Sequence, residues 1–182
     1  MQDRRHDIIQ AGIATLREHG YSGFTQPKVA SRAGLRQSHL TYYYPTRVDL
    51  LVAVGRAAIE GQLAAVDAVL TQASLETVAA AIAKVAVRHE TTRVIMALAQ
   101  AADQEPPLRA LFLELADGIV SRAHFFLKAH NPAATEADAR LLHALSVGLA
   151  VVDLATGRED GESRAESILY SALSTISQRS GP

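Results

Sequence analysis

The sequence predicts an all-α fold of about nine helices, and three observations carry that expectation. Apolar residues make up 48% of the chain, alanine and leucine dominate, and tryptophan and cysteine are absent, a mixture that favours helices over strands. Apolar residues recur at three- and four-residue spacing through most of the length. The breaks between these stripes carry capping and stop residues. There is no convincing strand, no internal repeat and no low-complexity linker.

The first helix has Ile8, Ile9, Gly12, Ile13 and Leu16 on one face, and Gly20 fits the left-handed position that ends helices. Thr25 is a good N-cap for a second helix, since its hydroxyl can accept from a free first-turn amide. Pro27 falls in that first turn, where a missing N–H costs little. This helix is short, because Ala33-Gly34 follows. Another short helix fits Gln37 to Tyr43 and ends at Pro45. Thr46, with Asp49 as a capping-box partner, opens a long helix to about Leu70. Ser74 caps a helix from Leu75 to about Glu90, and a further one runs from Thr92 to Asp103, before Pro106-Pro107. Leu108, Leu111, Phe112, Leu115, Ile119 and Ala123 stripe a helix that stops near Asn131-Pro132. Thr135 with Asp138 boxes a helix to Thr156, with Gly157 as its stop. Ser163 with Glu166 is the expected cap of the last helix.

Composition excludes several classes of function. A chain of 182 residues without cysteine has no disulfide, thiolate metal site or cysteine nucleophile. Met1-Gln2-Asp3-Arg4-Arg5 leads into a charged amphipathic stretch, so no signal peptide is expected. No apolar run approaches the ~18 residues of a membrane span, and a soluble, cytoplasmic protein is the expectation. The net charge of −1 divides unevenly: residues 1–50 carry seven Lys/Arg against four acids, and the rest eleven against fifteen. A basic head on an acidic body suggests a nucleic-acid contact confined to the head.

The two short helices locate that contact. A helix of about seven residues is not stable alone; two in succession, braced by longer ones, present a surface. Ser31-Arg32-Ala33-Gly34-Leu35 has the small residue and glycine that a helix-turn-helix crossing needs. Val29, Ala30, Leu35 and Leu40 would point inward. Gln37, Ser38, His39, Thr41, Tyr42 and Tyr43 leave a polar and aromatic outer face. Gln and His can bond base edges, Tyr phosphate, and Ser and Thr either.

The run Thr25, Val29-Ala30, Ala33-Gly34-Leu35, Leu40, Tyr42-Tyr43-Tyr44-Pro45 and Asp49-Leu50-Leu51 resembles the DNA-binding signature of the tetracycline-repressor (TetR) family. The likeness covers roughly residues 5–52. It implies a DNA-binding domain over residues 1–48 and a helical ligand-binding and dimerisation domain over 49–182. It further implies that Thr25 and Lys28 open a helix whose N-terminus touches phosphate, and that Arg36, Gln37, Ser38 and His39, with Thr41, Tyr42 and Tyr43, make the recognition helix. By the same likeness Arg47 touches the DNA backbone, and Arg4 and Arg5 form a short phosphate-seeking arm. Three positions depart from the family pattern. Arg36 stands where a small polar cap is usual, Thr41 where Tyr is common, and Tyr44 replaces Phe and is expected to pack inward.

The body reads as a dimer. Between Leu141 and Ala155 nearly every helical direction is apolar, which requires cover on all sides, and a partner subunit is the expected cover in so small a chain. The family pairs its last two helices in a four-helix interface; here that implies Leu141, Leu145, Gly148 and Val152 with Ile168, Leu169, Ala172, Leu173 and Ile176. Two heads about one DNA turn apart, ~34–36 Å, suit a palindromic operator on double-stranded DNA. The resemblance also implies a small-molecule effector among the middle helices. Met96, Phe112, Phe125 and Phe126 are candidate apolar contacts, and His89, Arg93, Arg122 and His124 candidate polar ones. The alanine-rich stretch Thr77 to Val87 either leaves room for a ligand or packs closely.

No cofactor, catalytic residue or metal site is expected. His89-Glu90-Thr91-Thr92-Arg93 begins like a zinc-protease motif but has Arg where the second His must stand. The alternative to a ligand-responsive repressor is a helical dimeric small-molecule-binding adaptor without DNA binding. An activator with the same head is equally compatible with the residues.

Overall fold

The computed structural model describes residues 4–71 and 74–179. Met1, Gln2 and Asp3, on which the reading of the N-terminus rests, lie outside the described residues. Among those described there are nine helices and no strand: α1 (Arg4–Gly23), α2 (Gln26–Arg32), α3 (Gln37–Tyr43), α4 (Arg47–Leu70), α5 (Leu75–Ala86), α6 (His89–Gln104), α7 (Pro106–His130), α8 (Glu136–Thr156) and α9 (Gly161–Gln178).

Most helix ends follow from side chains within three residues of them. Thr25 caps α2 by accepting from the Lys28 amide. Asp49 accepts from the Thr46 amide at 2.9 Å while the Thr46 hydroxyl accepts from the Asp49 amide at 3.0 Å. Reciprocal capping boxes open α5 at Ser74 and Thr77 and α8 at Thr135 and Asp138. Gly157, at φ 57°, closes α8 in the left-handed conformation that costs other residues a Cβ clash. Gly20 breaks α1 at φ 63°, although the segment regains a helical turn to Gly23.

Three boundaries differ from the sequence expectation. The helix expected to reach about Glu90 ends at Ala86, and α6 begins at His89 rather than Thr92. The His89 Nε2 lies 2.9 Å from Asp153 Oδ2, so a distant carboxylate anchors the start of α6. Likewise α9 begins at Gly161, two residues before the expected Ser163 cap, and the Ser163 hydroxyl donates instead to the Asp160 carbonyl at 3.1 Å.

The chain packs as two units, Met1–Gln62 with Arg93–Glu114, and Leu63–Thr92 with Leu115–Pro182. In the first, Ile8, Leu16, Phe24, Val29, Leu40, Leu50, Leu51 and Val54 are fully buried. Gly12 of α1 lies so close to α4 that a Cβ would meet a Val54 methyl at 2.4 Å, which sets the α1–α4 approach.

In the second unit α5 packs most extensively on α9. Ala79 and Ala83 are fully buried in a core with Val78, Phe126, Leu127, Leu142, Leu169 and Leu173. The alanines of α5 thus serve close helix packing. By length and composition α8 would suffice to cross a membrane; Arg140, His143 and Asp153 interrupt its apolar runs, which hid this in the sequence. Its Ala139 and Leu142 are buried in the core beside α9.

The start of α8 is also tied to the chain's last described residue. Arg179 donates to Asp138 Oδ1 at 2.9 Å and forms a second bond with Oδ2. The Arg179 guanidinium, with the Thr135 amide and hydroxyl helping and burial opposing, lowers the Asp138 pKa from 3.8 to about 2. A depressed carboxylate contributes stability that is complete above its unfolded pKa and lost as pH falls through the folded one. The thermal midpoint should therefore fall as pH drops from about 4 toward about 2. Asp138→Asn should flatten that part of the profile in a calorimetric pH series; an unchanged profile would show that other carboxylates control it.

Candidate nucleic-acid interface

The α2–turn–α3 segment has the geometry of a helix-turn-helix. The Ala33 amide donates to the Val29 carbonyl at 2.9 Å, Gly34 to Ser31 at 3.1 Å and Leu35 to Ala30 at 2.9 Å. Gly34 takes φ 67°, a value open to glycine and strained for a bulky residue. Val29, Ala30 and Leu40 are buried and hold the crossing, while Leu35 is only half-buried.

The opposite side of α3 faces solvent. Gln37, Ser38, His39 and Tyr42 are exposed together, with Tyr42 at 83%. Thr41 is half-buried and its hydroxyl donates to the Ser38 carbonyl at 3.1 Å, so that proton is engaged inside the helix. Arg36 is exposed at the N-cap of α3 and gives no capping bond, as a side chain without an acceptor must. Tyr43 and Tyr44 are half-buried. The Tyr42 and Tyr43 rings meet edge-on, centroids 5.3 Å apart. Thr25 is half-buried with its oxygen engaged in the cap, and Lys28 is exposed beside it. Arg32 pairs with Glu18, whose carboxyl is held below the usual range chiefly by the hydrogen bond from that guanidinium.

Arg47 stands apart from this face. Its Nε donates to the Phe24 carbonyl at 2.9 Å, and its two terminal nitrogens to the Tyr21 carbonyl at 3.0 Å and the Tyr21 hydroxyl at 3.2 Å. The guanidinium lies 4.4 Å over the Tyr21 ring and 3.6 Å from Glu105. The Tyr21 hydroxyl in turn donates to Glu105 at 3.2 Å. Arg47 therefore braces the end of α1 against the α6–α7 junction.

Sequence reasoning missed Gln26, Tyr21 and Glu105. Gln26 Nε2 donates to the Tyr44 carbonyl at 2.8 Å, fastening α2 to the end of the recognition helix. Its partner is 18 residues away and the Tyr21–Glu105 pair is 84 apart, so no local pattern signals either.

The candidate effector contacts divide between the two units. Arg93, Met96 and Phe112 belong to the first, with Met96 45% exposed and Phe112 half-buried. His89, Arg122, His124, Phe125 and Phe126 belong to the second. There Phe125 is 82% exposed while Phe126 is buried in the core, its ring 4.4 Å from that of His130. His89 pairs with Asp153, and Arg122 with Asp67 at 2.7 Å. The His124 Nε2 is buried without a hydrogen-bond partner.

The candidate dimer residues fall into two groups. Leu169 and Leu173 are closed inside the subunit's own core, and Ile176 is buried there with one side on the groove between α8 and α9. Leu141, Gly148, Val152 and Ile168 are exposed, and Leu145 and Ala172 half-buried. A groove of about 550 Å³ runs between α8 and α9, with Leu141, Leu145, Ile168 and Ala172 in its walls and Asp138 and Arg179 at one end.

Residues 8–54 match the family model described as bacterial regulatory proteins, tetR family. No curated protein matches the chain significantly. Among solved structures, a transcriptional regulator from Rhodococcus sp. Rha1 superposes with a TM-score of 0.82 at 20% identity, over 94% of this chain and 95% of that one. A TetR-family regulator from Rhodococcus sp. gives 0.77 at 20% identity, over 97% and 99%. The multidrug binding protein EbrR, complexed with proflavin, gives 0.66 at 28% identity, over 93% and 99%. The helix-turn-helix head thus matches the model of the tetR family, and the all-α fold is shared with solved transcriptional regulators over nearly the whole length of the chain.

Proposed function

We propose that this chain is a homodimeric repressor that binds a palindromic operator on double-stranded DNA and is released when a small molecule binds its body. Residues 1–48 are the reading head and residues 49–182 the sensing and dimerising body, at work in the cytoplasm. The observation that carries the proposal is the exposed face of α3, where Gln37, Ser38, His39 and Tyr42 stand together over a buried Leu40. In this reading Gln37 and His39 address base edges, Ser38 and Thr41 bases or phosphate, and Lys28, Arg36, Tyr42 and Tyr43 the backbone. Thr25 acts by holding the start of α2, and Arg47 by holding the head rather than by touching phosphate.

Binding of the purified protein to a random duplex library tests this. The expected result is a palindromic consensus, with affinity falling steeply as salt rises because phosphate contacts release counterions. A folded dimer that enriches no sequence at low salt would favour the adaptor instead.

Dimerisation is supported by the exposed apolar residues of α8 and α9. Leu141 (59%) and Ile168 (37%) line a groove in the second unit, and Val152 (53%) is exposed farther along α8; exposed apolar surface of this kind marks an interaction site. Val152→Glu should turn a sedimenting dimer into a folded monomer and abolish palindrome binding. A Val152→Glu protein that stays dimeric would move the interface elsewhere.

Effector binding is supported by EbrR, which has been seen complexed with proflavin and with ethidium, and by the orphan His124 nitrogen. A buried imidazole nitrogen without a partner carries a desolvation cost that a ligand hydrogen bond would offset. We assign His124 as the leading polar contact for an apolar or amphipathic effector.

A further inference from the structure

Between α1 and α2 lies a cleft of about 360 Å³, lined by Thr15 and His19 from one helix and Lys28, Ser31 and Arg32 from the other. The spacing explains the grouping, since residues three and four apart share one face of a helix. Every lining side chain carries a polar group, and no acid lines the walls among the described residues. Gly23 brings two of these side chains together. A Cβ there would stand 2.5 Å from His19 Cβ and 3.6 Å from Lys28 Nζ, so the ammonium lies across the end of α1 beside the root of the His19 side chain. His19, Lys28 and Ser31 are exposed, and their side chains have no hydrogen-bonded or ion-paired partner among the described residues. Arg32 gives both terminal nitrogens to Glu18 and keeps its Nε. Thr15 is fully buried, and its hydroxyl donates to the Ala11 carbonyl at 2.7 Å. Cationic groups gathered without an acid repel one another. An anion with several acceptor oxygens would offset that repulsion through charge-assisted hydrogen bonds. The volume stands at the low end of small-molecule sites, roughly 300–1,000 Å³, and the polar walls offer nothing to an apolar effector.

We infer that this cleft binds a free, compact dianion, inorganic phosphate or a small phosphate monoester, held by Lys28, His19, Ser31 and Arg32. The site is separate from the exposed face of α3, and only Lys28 belongs both to it and to the proposed DNA contacts. A bound anion occupies a side chain that the operator needs, so it competes with DNA at the head itself. The competition, but not the site, rests on the DNA-binding reading above.

The test titrates the full chain with inorganic phosphate at constant ionic strength, chloride making up the balance. A saturable shift of the His19 ring signals is expected by NMR, with the other histidines unmoved. Phosphate affinity, from calorimetry, should fall about threefold in Lys28→Gln and in His19→Gln and about tenfold in the double variant. Arg140→Gln on α8 should keep it. With the duplex enriched from the library, phosphate in place of chloride should weaken wild-type binding. His19→Gln should bind that duplex as wild type does and lose the sensitivity to phosphate. Shifts that never saturate, or equal phosphate affinity in the Lys28→Gln/His19→Gln variant, would overturn the site and leave DNA binding standing. A free protein that takes up no phosphate, with a His19→Gln salt slope on the duplex reduced by about 0.9, would overturn it too, because the cleft would then hold a backbone phosphate. A protein that binds phosphate as expected and enriches no duplex would support the site and overturn the DNA-binding reading.

Discussion

Replacing Arg47 by Ala should lower the unfolding free energy by about 2–3 kcal/mol, because charge-assisted hydrogen bonds to several acceptors are lost together. For a chain of this length that corresponds to a drop of roughly 5–10 °C in the thermal midpoint. The Phe24 and Tyr21 carbonyls would lose their donor, and Glu105 would lose its cation. Lys has one ammonium and no planar fork, so Arg47→Lys should recover less than half of the loss. DNA affinity should fall as well, since the end of α1 and the start of α4 carry the head. The salt slope should not change. A direct phosphate contact would take about 0.9 off that slope, so a stable Arg47→Ala protein with a reduced slope would make Arg47 a backbone contact rather than a brace.

The second large effect is expected at Gly161. A Cβ there would stand 1.9 Å from Asp153 Oδ1 and 2.7 Å from its Cγ. Asp153 is 4% exposed and cannot swing into water. It is held by His89 at 2.9 Å and by Arg164, an ion pair at 3.7 Å that is too long for a hydrogen bond. Gly161→Ala should therefore cost about 2–3 kcal/mol, the range for forcing atoms into a packed site and disturbing a buried carboxylate. Helix propensity runs the other way and returns at most ~1 kcal/mol. In an Asp153→Ala background the space is open, and Gly161→Ala should cost less than about 0.5 kcal/mol. Equal costs in the two backgrounds, measured by denaturant unfolding, would sink the explanation.

The same carboxylate explains why the last helix starts early. A negative charge placed at the first turn of α9 favours the helix N-terminus, and only glycine leaves room for it. Ser163 is a good local cap, yet the contact with Asp153 overrides it. The start of α6 is displaced for the same reason, through His89. In both places a residue more than sixty positions or nearly ten positions away in sequence decides a boundary that local pattern places elsewhere.

The dimer face shows a further limit of sequence reading. Ile168, Leu169, Ala172, Leu173 and Ile176 form one stripe in the sequence. In the fold Leu169 and Leu173 turn inward into the core, Ile168 and Ala172 stay on the groove, and Ile176, though buried, reaches its wall. Apolar periodicity states that a face is covered, but it carries no information about which surface covers it.

The sequence by itself determined the helix count, the capped starts of α2, α4, α5 and α8, the stop at Gly157 and the place of the helix-turn-helix. All of these depend on side chains within a few residues of the backbone groups they satisfy, so spacing alone encodes them. Only the tertiary structure decided that Arg47 is enclosed by Tyr21, Phe24 and Glu105, that Gln26 fastens the recognition helix, that Arg5 lies over Tyr43, and that Asp153 sets the start of α9. Those contacts join side chains brought together by packing, and packing distance has no counterpart in the order of residues along the chain.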